Sequence, residues 1–212
     1  MAARVLGVLN GQDLPLATLE KWANSATNLY AADGAASRLL SLGYRPTIVG
    51  DGDSGPADGW PSGLDVRRNT DQETSDTDKL LAVIAEEGHE TCVLAGIEGD
   101  NPMHVLANLH SVARASLRVV LRYRRFDGWL VTPDQPWRRP VPEGTKISLI
   151  PLVPCEGISL SGVTWPFHDA ALAIGERISL SNLATGEPSV SLSEGLAILL
   201  VRRPPGQEPP WS

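Results

Sequence analysis

The chain has 212 residues, with 42% hydrophobic and 20% charged residues, which are ordinary values for a folded protein of one large or two small domains. Its formal net charge of −7 argues against a nucleic-acid partner, because phosphates favour a basic surface. No apolar stretch approaches the roughly 18 residues of a membrane span, so we expect no membrane partner. The two cysteines, Cys92 and Cys155, lie in apolar segments and suit a reducing compartment, so we expect a cytoplasmic protein.

The first half of the chain alternates short apolar runs with segments of helical periodicity. This alternation predicts an α/β domain over residues 1–126, with a mainly parallel, Rossmann-like sheet. The best-marked helix begins after Ser75, which has the position of an N-cap with Asp78 three residues on, and it ends at Gly88. The other predicted helices run from Leu16 to Ala23, from Ala35 to Leu42 and from Met103 to Ser116. The predicted strands are Val5–Leu9, Leu29–Ala32, Thr47–Val49, Asp65–Arg68, Thr91–Ala95 and Leu117–Tyr123.

The second half contains short β-like segments separated by Pro and Gly, and none of them has helical length. It predicts an all-β domain over residues 127–212, a β-sandwich or a barrel. The basic run Arg122–Arg125, next to this boundary, is interpreted as a solvated strand edge rather than a nucleic-acid surface. The predicted strands are Ile147–Ile150, Ile158–Leu160, Arg177–Leu180, Val190–Leu192 and Leu196–Val201.

Polar residues and glycines follow several predicted strands of the first half. Ligands of open α/β sheets bind outside the carboxyl ends of the strands, so these segments predict a ligand site at one rim of the sheet. The segments are Asn10 after the first strand, Asp33-Gly34 after the second, Gly50–Ser54 after the third, and Gly96 after the strand that ends at Ala95.

Acidic residues are concentrated in two of the rim segments. Asp51 and Asp53 are two residues apart, so on an extended chain both carboxylates face the same way and repel unless a cation lies between them. Gly50 and Gly52 allow close approach of a phosphate, and Mg²⁺ shared with phosphates suits this arrangement. The alternative is a solvated Asp-Gly turn. The acids of Asp71–Asp78 suit the N-terminus of a helix, but Asp76 is also placed to complete a metal site.

In order and spacing, these segments resemble the motifs of the thiamine pyrophosphokinase family. The resemblance covers nearly the whole chain. The matching segments are Ala32–Ala36 for ADGGA, Gly50–Ser54 for GDFDS, Asp71–Asp76 for DQ-x-x-TD, Gly96–Leu109 for G-x-x-GGR-x-DH-x-x-AN, and, in the second half, Ser148–Leu152, Gly162–Pro166 and Ser181–Asn182.

The resemblance implies a homodimeric, Mg²⁺-dependent enzyme that transfers the pyrophosphoryl group of ATP to the thiamine hydroxyl, giving thiamine diphosphate and AMP. Phosphoryl-type transfer depends on positioning and charge neutralisation, which an acidic metal site supplies. The implied catalytic metal ligands are Asp51, Asp53 and Asp76. The ATP-binding candidates are Asp33, Gly34, Gly50, Ser54, Gly96 and His104. The thiamine-binding candidates are Gln72, Ser181, Asn182 and Trp165, the last of which is alternatively an anchor of the β-domain core.

The chain departs from the family motifs most strongly in Gly99–His104. Asn101 stands where the family has Arg, and Asn lacks the forked donors with which Arg grips phosphate. Met103 stands where the family has Asp, and Gly52 replaces the Phe of GDFDS. Alternatives to an active enzyme of this kind are therefore a thiamine- or nucleotide-binding protein and a diphosphokinase for another small alcohol. The candidate replacements for the missing charges are Arg38, Arg114 and Asp100.

Overall fold

The computed structural model describes residues 4–12, 14–99 and 101–204. The chain divides into two compact units, of which the first ends at Arg124 and the second begins at Arg125. Within the described ranges, no helix is both long and apolar enough to cross a membrane.

The first unit contains a parallel sheet with helices in the connections between its strands. The strand order is β6-β5-β1-β2-β3-β4, and each of these neighbouring pairs is parallel. The order reverses between β1 and β5, the kind of position at which ligands bind to open α/β sheets. The strands are β1 (Val5–Val8), β2 (Asn28–Ala32), β3 (Thr47–Gly50), β4 (Val66–Arg68), β5 (Thr91–Ala95) and β6 (Arg118–Arg122), and the helices are α1 (Leu16–Ser25), α2 (Asp33–Ser41), α3 (Asp76–Glu86) and α4 (Pro102–Arg114).

The start of α3 is fixed by the predicted cap. The Ser75 hydroxyl accepts the backbone N–H of Asp78 at 3.1 Å, and the Asp78 carboxylate accepts the N–H of Ser75 at 3.0 Å. This reciprocal capping box satisfies N–H groups that the helix leaves without internal partners. Leu80, Leu81 and Ile84 are buried on the inner face of the helix, each contributing about 1.5–3 kcal/mol through burial. The cap therefore sets the position of Asp76, the first residue of α3.

A buried tyrosine links β2 to the end of α3. The Tyr30 hydroxyl donates to Glu87 Oε2 at 2.6 Å, and it lies 2.9 Å from Nε2 of His89. Because the hydroxyl proton points to Glu87, the His89 nitrogen is the donor in the second hydrogen bond. Burial and the adjacent Glu87 carboxylate both raise the pKa of Tyr30, so the hydroxyl stays protonated at neutral pH.

Replacing Tyr30 with phenylalanine is expected to lower the free energy of unfolding by about 1–2 kcal/mol, since it removes a hydrogen bond to a charged group. Urea unfolding measures the effect. Tyr44→Phe is the matched control, because its hydroxyl donates to the carbonyl of Glu20 at an exposed position, at 3.2 Å. Equal losses in the two variants would contradict the importance of the Tyr30 network.

The second unit is an antiparallel sheet with strand order β11-β10-β12-β9-β13-β7, and β8 pairs with β12. Ile147 and Leu149 alternate along β9 and point into the core of this unit, as do the neighbouring Leu199 and Val201 of β13. The strands are β7 (Phe126–Val131), β8 (Trp137–Arg138), β9 (Lys146–Pro151), β10 (Cys155–Val163), β11 (Phe167–Leu172), β12 (Ser179–Ser191) and β13 (Ala197–Arg202).

The structure confirms a largely parallel sheet with helices, followed by an antiparallel sheet, while the Rossmann-like and sandwich designations stay predictions. In the second unit, the prediction of separate strands at Arg177–Leu180 and Val190–Leu192 was wrong, because β12 runs through both regions as one strand. Its Gly186-Glu187-Pro188 segment was taken as a break. Pairing with β9 at one end and β10 at the other keeps it extended, with register shifts. The strands missed by the sequence analysis are β7, β8 and β11.

The interpretation of Arg122–Arg125 as a solvated edge was wrong for Arg122. This residue ends β6 and is only 2% exposed. Its guanidinium lies over the ring of Trp22, 4.8 Å from the ring centroid, so an aromatic face replaces water on one side of the charge. Arg124 and Arg125 are exposed, as expected of a solvated edge.

Candidate functional site

A cavity of about 330 Å³ lies at the carboxyl ends of β1, β2, β3 and β5 in the first unit. The N-terminal turns of α2, α3 and α4 also face it, which gives the cavity the positive ends of several helix dipoles. The structure thus brings the predicted rim segments together around one space. The predicted site residues that line it are Asp33, Gly34, Asp51, Ser54, Gln72, Asp76, Gly96 and His104.

Asp33 connects two of the rim segments. It is the first residue of α2 and is only 2% exposed. One carboxylate oxygen accepts the backbone N–H of Gly34 at 2.7 Å, and the other accepts the N–H of Gly52 at 3.0 Å. A Cβ at Gly50 would lie 2.5 Å from Cγ of Asp33, so glycine at position 50 allows this buried carboxylate to approach the loop.

The loop after β3 brings acidic side chains together. Carboxylate oxygens of Asp33, Asp51 and Asp53 lie within 4.8 Å of one another. The Asp53 N–H donates to Asp51 Oδ1 at 3.1 Å and lowers the pKa of Asp51, and the Ser54 hydroxyl donates to Asp53 Oδ1 at 3.0 Å. This set of oxygen donors fits a hard divalent cation such as Mg²⁺. The cluster contains Asp33, whereas the predicted ligand set had Asp76 in addition to Asp51 and Asp53.

A buried lysine separates Asp76 from the loop, and the sequence analysis missed it. Lys79 is 4% exposed, and its Nζ lies 3.5 Å from Asp76 Oδ1 and 3.8 Å from Asp51 Oδ2. The spacing alone predicts that Lys79 and Asp76 are neighbours, because residues three apart on a helix lie side by side. It does not indicate that Asp51, from another segment, lies beside them. Lys79 places one positive charge among the acids of the cavity.

The carboxylates of the site repel one another despite Lys79. Burial raises the pKa of Asp76, and the neighbouring Asp33 and Asp51 raise it further, while Lys79 acts in the opposite direction. A raised folded-state pKa means that the folded protein loses stability as the pH rises from the unfolded pKa of Asp towards the folded value. A divalent cation bound at the cluster would relieve this repulsion.

Replacing Asp76 with asparagine is expected to stabilise the metal-free protein at neutral pH by about 0.5 kcal/mol, after allowance for solvent screening of this half-buried group. The gain should shrink as the pH falls below the ordinary pKa of Asp, where the wild-type carboxyl is itself protonated. Urea unfolding in EDTA at neutral and acidic pH measures it. A gain of equal size at both pH values would contradict the electrostatic origin.

The polar residues around the acids are fixed by hydrogen bonds. Gln72 Nε2 donates to Asp51 Oδ2 at 3.2 Å, so the predicted thiamine-binding glutamine contacts the acidic loop. Thr77 donates to Asn108 Oδ1 at 2.6 Å and joins α3 to α4 at the cavity, which both residues line. His104, in the first turn of α4, lines the cavity from an exposed position.

The residues that depart from the family motif have local roles in α4. The side chain of Asn101 caps the helix by accepting the N–H of Met103 at 3.0 Å, and Met103 is exposed. Neither residue lines the cavity.

The candidate replacements for the missing charges are placed differently. Arg38 donates to the carbonyl oxygens of Gly11 and Leu14. Of the other predicted replacements, Arg114 lines a separate cavity that also contains Asp78, and Asp100 lies outside the described residues.

In the second unit, the structure brings Trp165 and Asn182 together. Asn182 is buried, its Oδ1 accepts the N–H of Trp165 at 3.1 Å, and its Nδ2 donates to the Trp165 carbonyl at 2.8 Å. Trp165 is 62% exposed, so its alternative interpretation as a core anchor was wrong. Ser181 is exposed and has a φ of +55°, which is uncommon outside glycine and often marks functional positions.

Comparison with known families gives two matches that lie in succession along the chain. The model described as "Thiamin pyrophosphokinase, catalytic domain" matches residues 19–121. The model described as "Thiamin pyrophosphokinase, vitamin B1 binding domain" matches residues 136–197. No curated protein sequence matches the chain.

Solved structures of similar fold extend over nearly the whole chain. Thiamine pyrophosphokinase from Bacillus subtilis superposes with a TM-score of 0.78 at 18% identity, covering 94% of this chain and 99% of its own. Thiamin pyrophosphokinase from Geobacillus thermodenitrificans has a TM-score of 0.77 at 19% identity, covering 95% and 99%. The enzyme from Candida albicans has a TM-score of 0.75 at 15% identity, covering 96% and 90%. At these identities the likeness establishes the fold.

Proposed function

Because the chain belongs to the thiamin pyrophosphokinase family, we propose that it transfers the pyrophosphoryl group of ATP to the thiamine hydroxyl, giving thiamine diphosphate and AMP. The observation that carries the proposal is the convergence of Asp33, Asp51 and Asp53 at the sheet rim, beside a cavity large enough for part of a nucleotide. Transfer of a phosphoryl-type group needs positioning and charge neutralisation rather than a covalent protein nucleophile.

We assign metal binding to Asp51 and Asp53 of the loop and to Asp76, which lines the same cavity. Bound Mg²⁺ supplies neutralisation of the charge on the transferring group. Asp33 holds the loop by its hydrogen bonds to Gly34 and Gly52, and its carboxylate also belongs to the oxygen cluster. Lys79 limits the repulsion between Asp51 and Asp76. The nucleotide-binding role stays assigned to Asp33, Gly34, Gly50, Ser54, Gly96 and His104.

In the transfer step, the thiamine hydroxyl oxygen forms a bond to the β-phosphorus of ATP. The bond from that phosphorus to the bridging oxygen of the α-phosphate breaks, AMP leaves with the electron pair, and the hydroxyl proton is released. Lys79 contributes positive charge beside the acids throughout this step. The protein's task is to hold hydroxyl and phosphorus in line and to neutralise charge.

We propose that Gln72, Trp165, Ser181 and Asn182 bind thiamine. Trp165 is largely exposed, and a flat aromatic ring suits the cationic thiazolium ring. Asn182 contributes by fixing the Trp165 backbone with its amide, and the unusual φ of Ser181 fits a position held for ligand contact. A nucleotide-binding domain over residues 1–126, a thiamine-binding domain over 127–212, a homodimer and a cytoplasmic location belong to the same proposal.

The second candidate is a binding protein of the same fold with little or no transfer activity. It is favoured by Asn101 and Met103, which cap the helix or face solvent instead of lining the cavity. A related diphosphokinase for another small alcohol would share the acidic site, so the choice of acceptor is tested separately.

The experiment is chromatographic detection of AMP and thiamine diphosphate from purified protein with ATP, Mg²⁺ and thiamine. The proposal predicts that both products appear together and that neither appears when thiamine is omitted. Omission of Mg²⁺ in the presence of EDTA should stop both. Binding of thiamine and ATP by calorimetry without product would favour the binding protein, and AMP formation with a different alcohol alone would favour the related diphosphokinase.

A further inference from the structure

Arg68 places a guanidinium group against the acidic loop. It is the last residue of β4, the neighbour of β3, from which the loop begins. A Cβ built on Gly52 would lie 3.7 Å from Cζ and Nε of Arg68 and 3.8 Å from Nη2. Because these distances are nearly equal, the guanidinium presents its flat face to Gly52. The cation therefore lies beside the residue that separates Asp51 from Asp53.

The side chain of Arg68 is exposed, and no residue in the described part of the chain accepts a hydrogen bond from it. Among the described residues, no ion pair joins Arg68 to Asp51 or Asp53, although it lies next to the residue between them. The preceding Arg67 is used differently, since its guanidinium binds Asp65 at 2.8 Å and lies 3.5 Å from Glu87. Side chains alternate along a strand, so the two neighbouring arginines serve opposite faces of the sheet.

Gly52 is the residue of the acidic loop that lies against Arg68. Its φ of +91° lies in the left-handed region, where a residue with a side chain is strained. A side chain at position 52 would also begin in contact with the Arg68 guanidinium. The chain thus has glycine where the family motif has Phe, and an arginine occupies the space beside it.

The charge of the site explains why a second cation is needed. Asp33, Asp51 and Asp76 line the cavity with Lys79 as the buried cation, so a nucleotide polyphosphate would enter a space of net negative charge. Arginine binds phosphate oxygens through two parallel N–H donors and keeps its charge at any working pH. We propose that Arg68 binds the polyphosphate of the nucleotide and supplies the forked cation that Asn101 does not. This inference rests on the proposed function and names a residue that lies beside the acidic loop, next to the residues that line the cavity.

The test is calorimetric binding of α,β-methylene-ATP, whose linkage between the first two phosphorus atoms is not cleaved, and of AMP. Arg68→Gln should weaken binding of the analogue by about 10–100-fold, the loss expected for a charge-assisted hydrogen-bonded pair. Arg68→Lys should fall between the wild type and Arg68→Gln, because it keeps the charge without the fork. Binding of AMP should change much less, and the loss for the analogue should persist in EDTA.

Arg67→Gln is the matched control, because it removes the same charge one residue away, on the other face of β4, and should leave analogue binding unchanged. An Arg68→Gln variant that binds the analogue as the wild type does would overturn the inference, as would an equal loss in Arg67→Gln. If the wild type binds the analogue through Arg68 but forms no AMP with thiamine, the inference stands and the proposed function fails. If the wild type forms AMP with thiamine and Arg68→Gln binds the analogue as tightly as the wild type does, the proposed function stands and the inference about Arg68 fails.

Discussion

Replacing Asp51 with asparagine is expected to lower the rate of thiamine-dependent AMP formation by about 10²–10³-fold. Asp51 belongs to the oxygen cluster, accepts hydrogen bonds from Asp53 and Gln72, and lies 3.8 Å from Lys79. The amide keeps the size of the side chain but removes its negative charge, so it cannot neutralise a metal ion. The rate constant at saturating ATP and thiamine, measured over a range of Mg²⁺ concentrations, gives the effect.

Asp58→Asn is the control for Asp51→Asn. Asp58 is an exposed acid in the segment that follows the acidic loop, and it does not line the cavity. Its replacement should change the rate by no more than about twofold, since surface substitutions have small effects. An Asp51→Asn variant as active as Asp58→Asn at every Mg²⁺ concentration would show that the acidic cluster is not the metal site.

Replacing Asp127 with alanine is expected to lower the free energy of unfolding by about 3–5 kcal/mol, the largest effect on stability that we predict. Asp127 Oδ1 lies 2.7 Å from Nη1 of Arg203, and the two side chains are only 9% and 7% exposed. The same Nη1 donates to the carbonyl of Phe126 at 3.1 Å, so the pair connects the start of β7 with the residue after β13. Alanine leaves the buried guanidinium without its carboxylate, which costs more than the pair itself contributes.

Glu187→Gln is the control for Asp127→Ala, because it alters an ion pair of similar length at the surface. Glu187 Oε2 lies 2.6 Å from Nη2 of Arg138, but the side chains are 44% and 71% exposed. Loss of this exposed ion pair should lower the free energy of unfolding by less than about 1 kcal/mol. Urea unfolding followed by tryptophan fluorescence, to which Trp129 and Trp137 in the same unit contribute, measures both variants. Equal destabilisation of the two variants would show that burial does not determine how much an ion pair contributes to the free energy of unfolding.

Local signals in the sequence were sufficient for most of the first unit. Helical periodicity located α1, α2 and α4, and the cap formed by Ser75 and Asp78 fixed the start of α3. Parallel strands place their carboxyl ends on one edge, so polar residues after β1, β2, β3 and β5 could be expected to converge without knowledge of the sheet order. They line one cavity in the structure.

The features that were not predictable depend on pairing between distant residues. The Gly-Pro segment of β12 reads as a turn in the sequence, and only its partners β9 and β10 keep it extended. Arg122 is tolerated in the core because its guanidinium lies over the ring of Trp22, 100 residues earlier in the chain. From the sequence, Lys79 is an ordinary charged residue of a helix. Its contact with Asp51 could not be predicted, because Asp51 belongs to another segment of the chain.

The acidic site shows the same division. The sequence indicated that Asp51 and Asp53 share a loop, and nearest-neighbour geometry was enough for that conclusion. The oxygen cluster is completed by Asp33 rather than by Asp76. The Asp33 carboxylate is held against the loop because it accepts the N–H of Gly52. The position of a buried carboxylate is determined by its hydrogen bonds, which spacing alone does not reveal.

Phosphorus NMR of the complete reaction mixture is the most direct test of the proposed transfer of a pyrophosphoryl group from ATP to thiamine. We expect the three ATP resonances to be replaced by that of AMP and by the paired resonances of a diphosphate ester, in equal amounts and only when thiamine is present. Accumulation of ADP with a phosphate monoester, or of ADP with free phosphate regardless of thiamine, would contradict it.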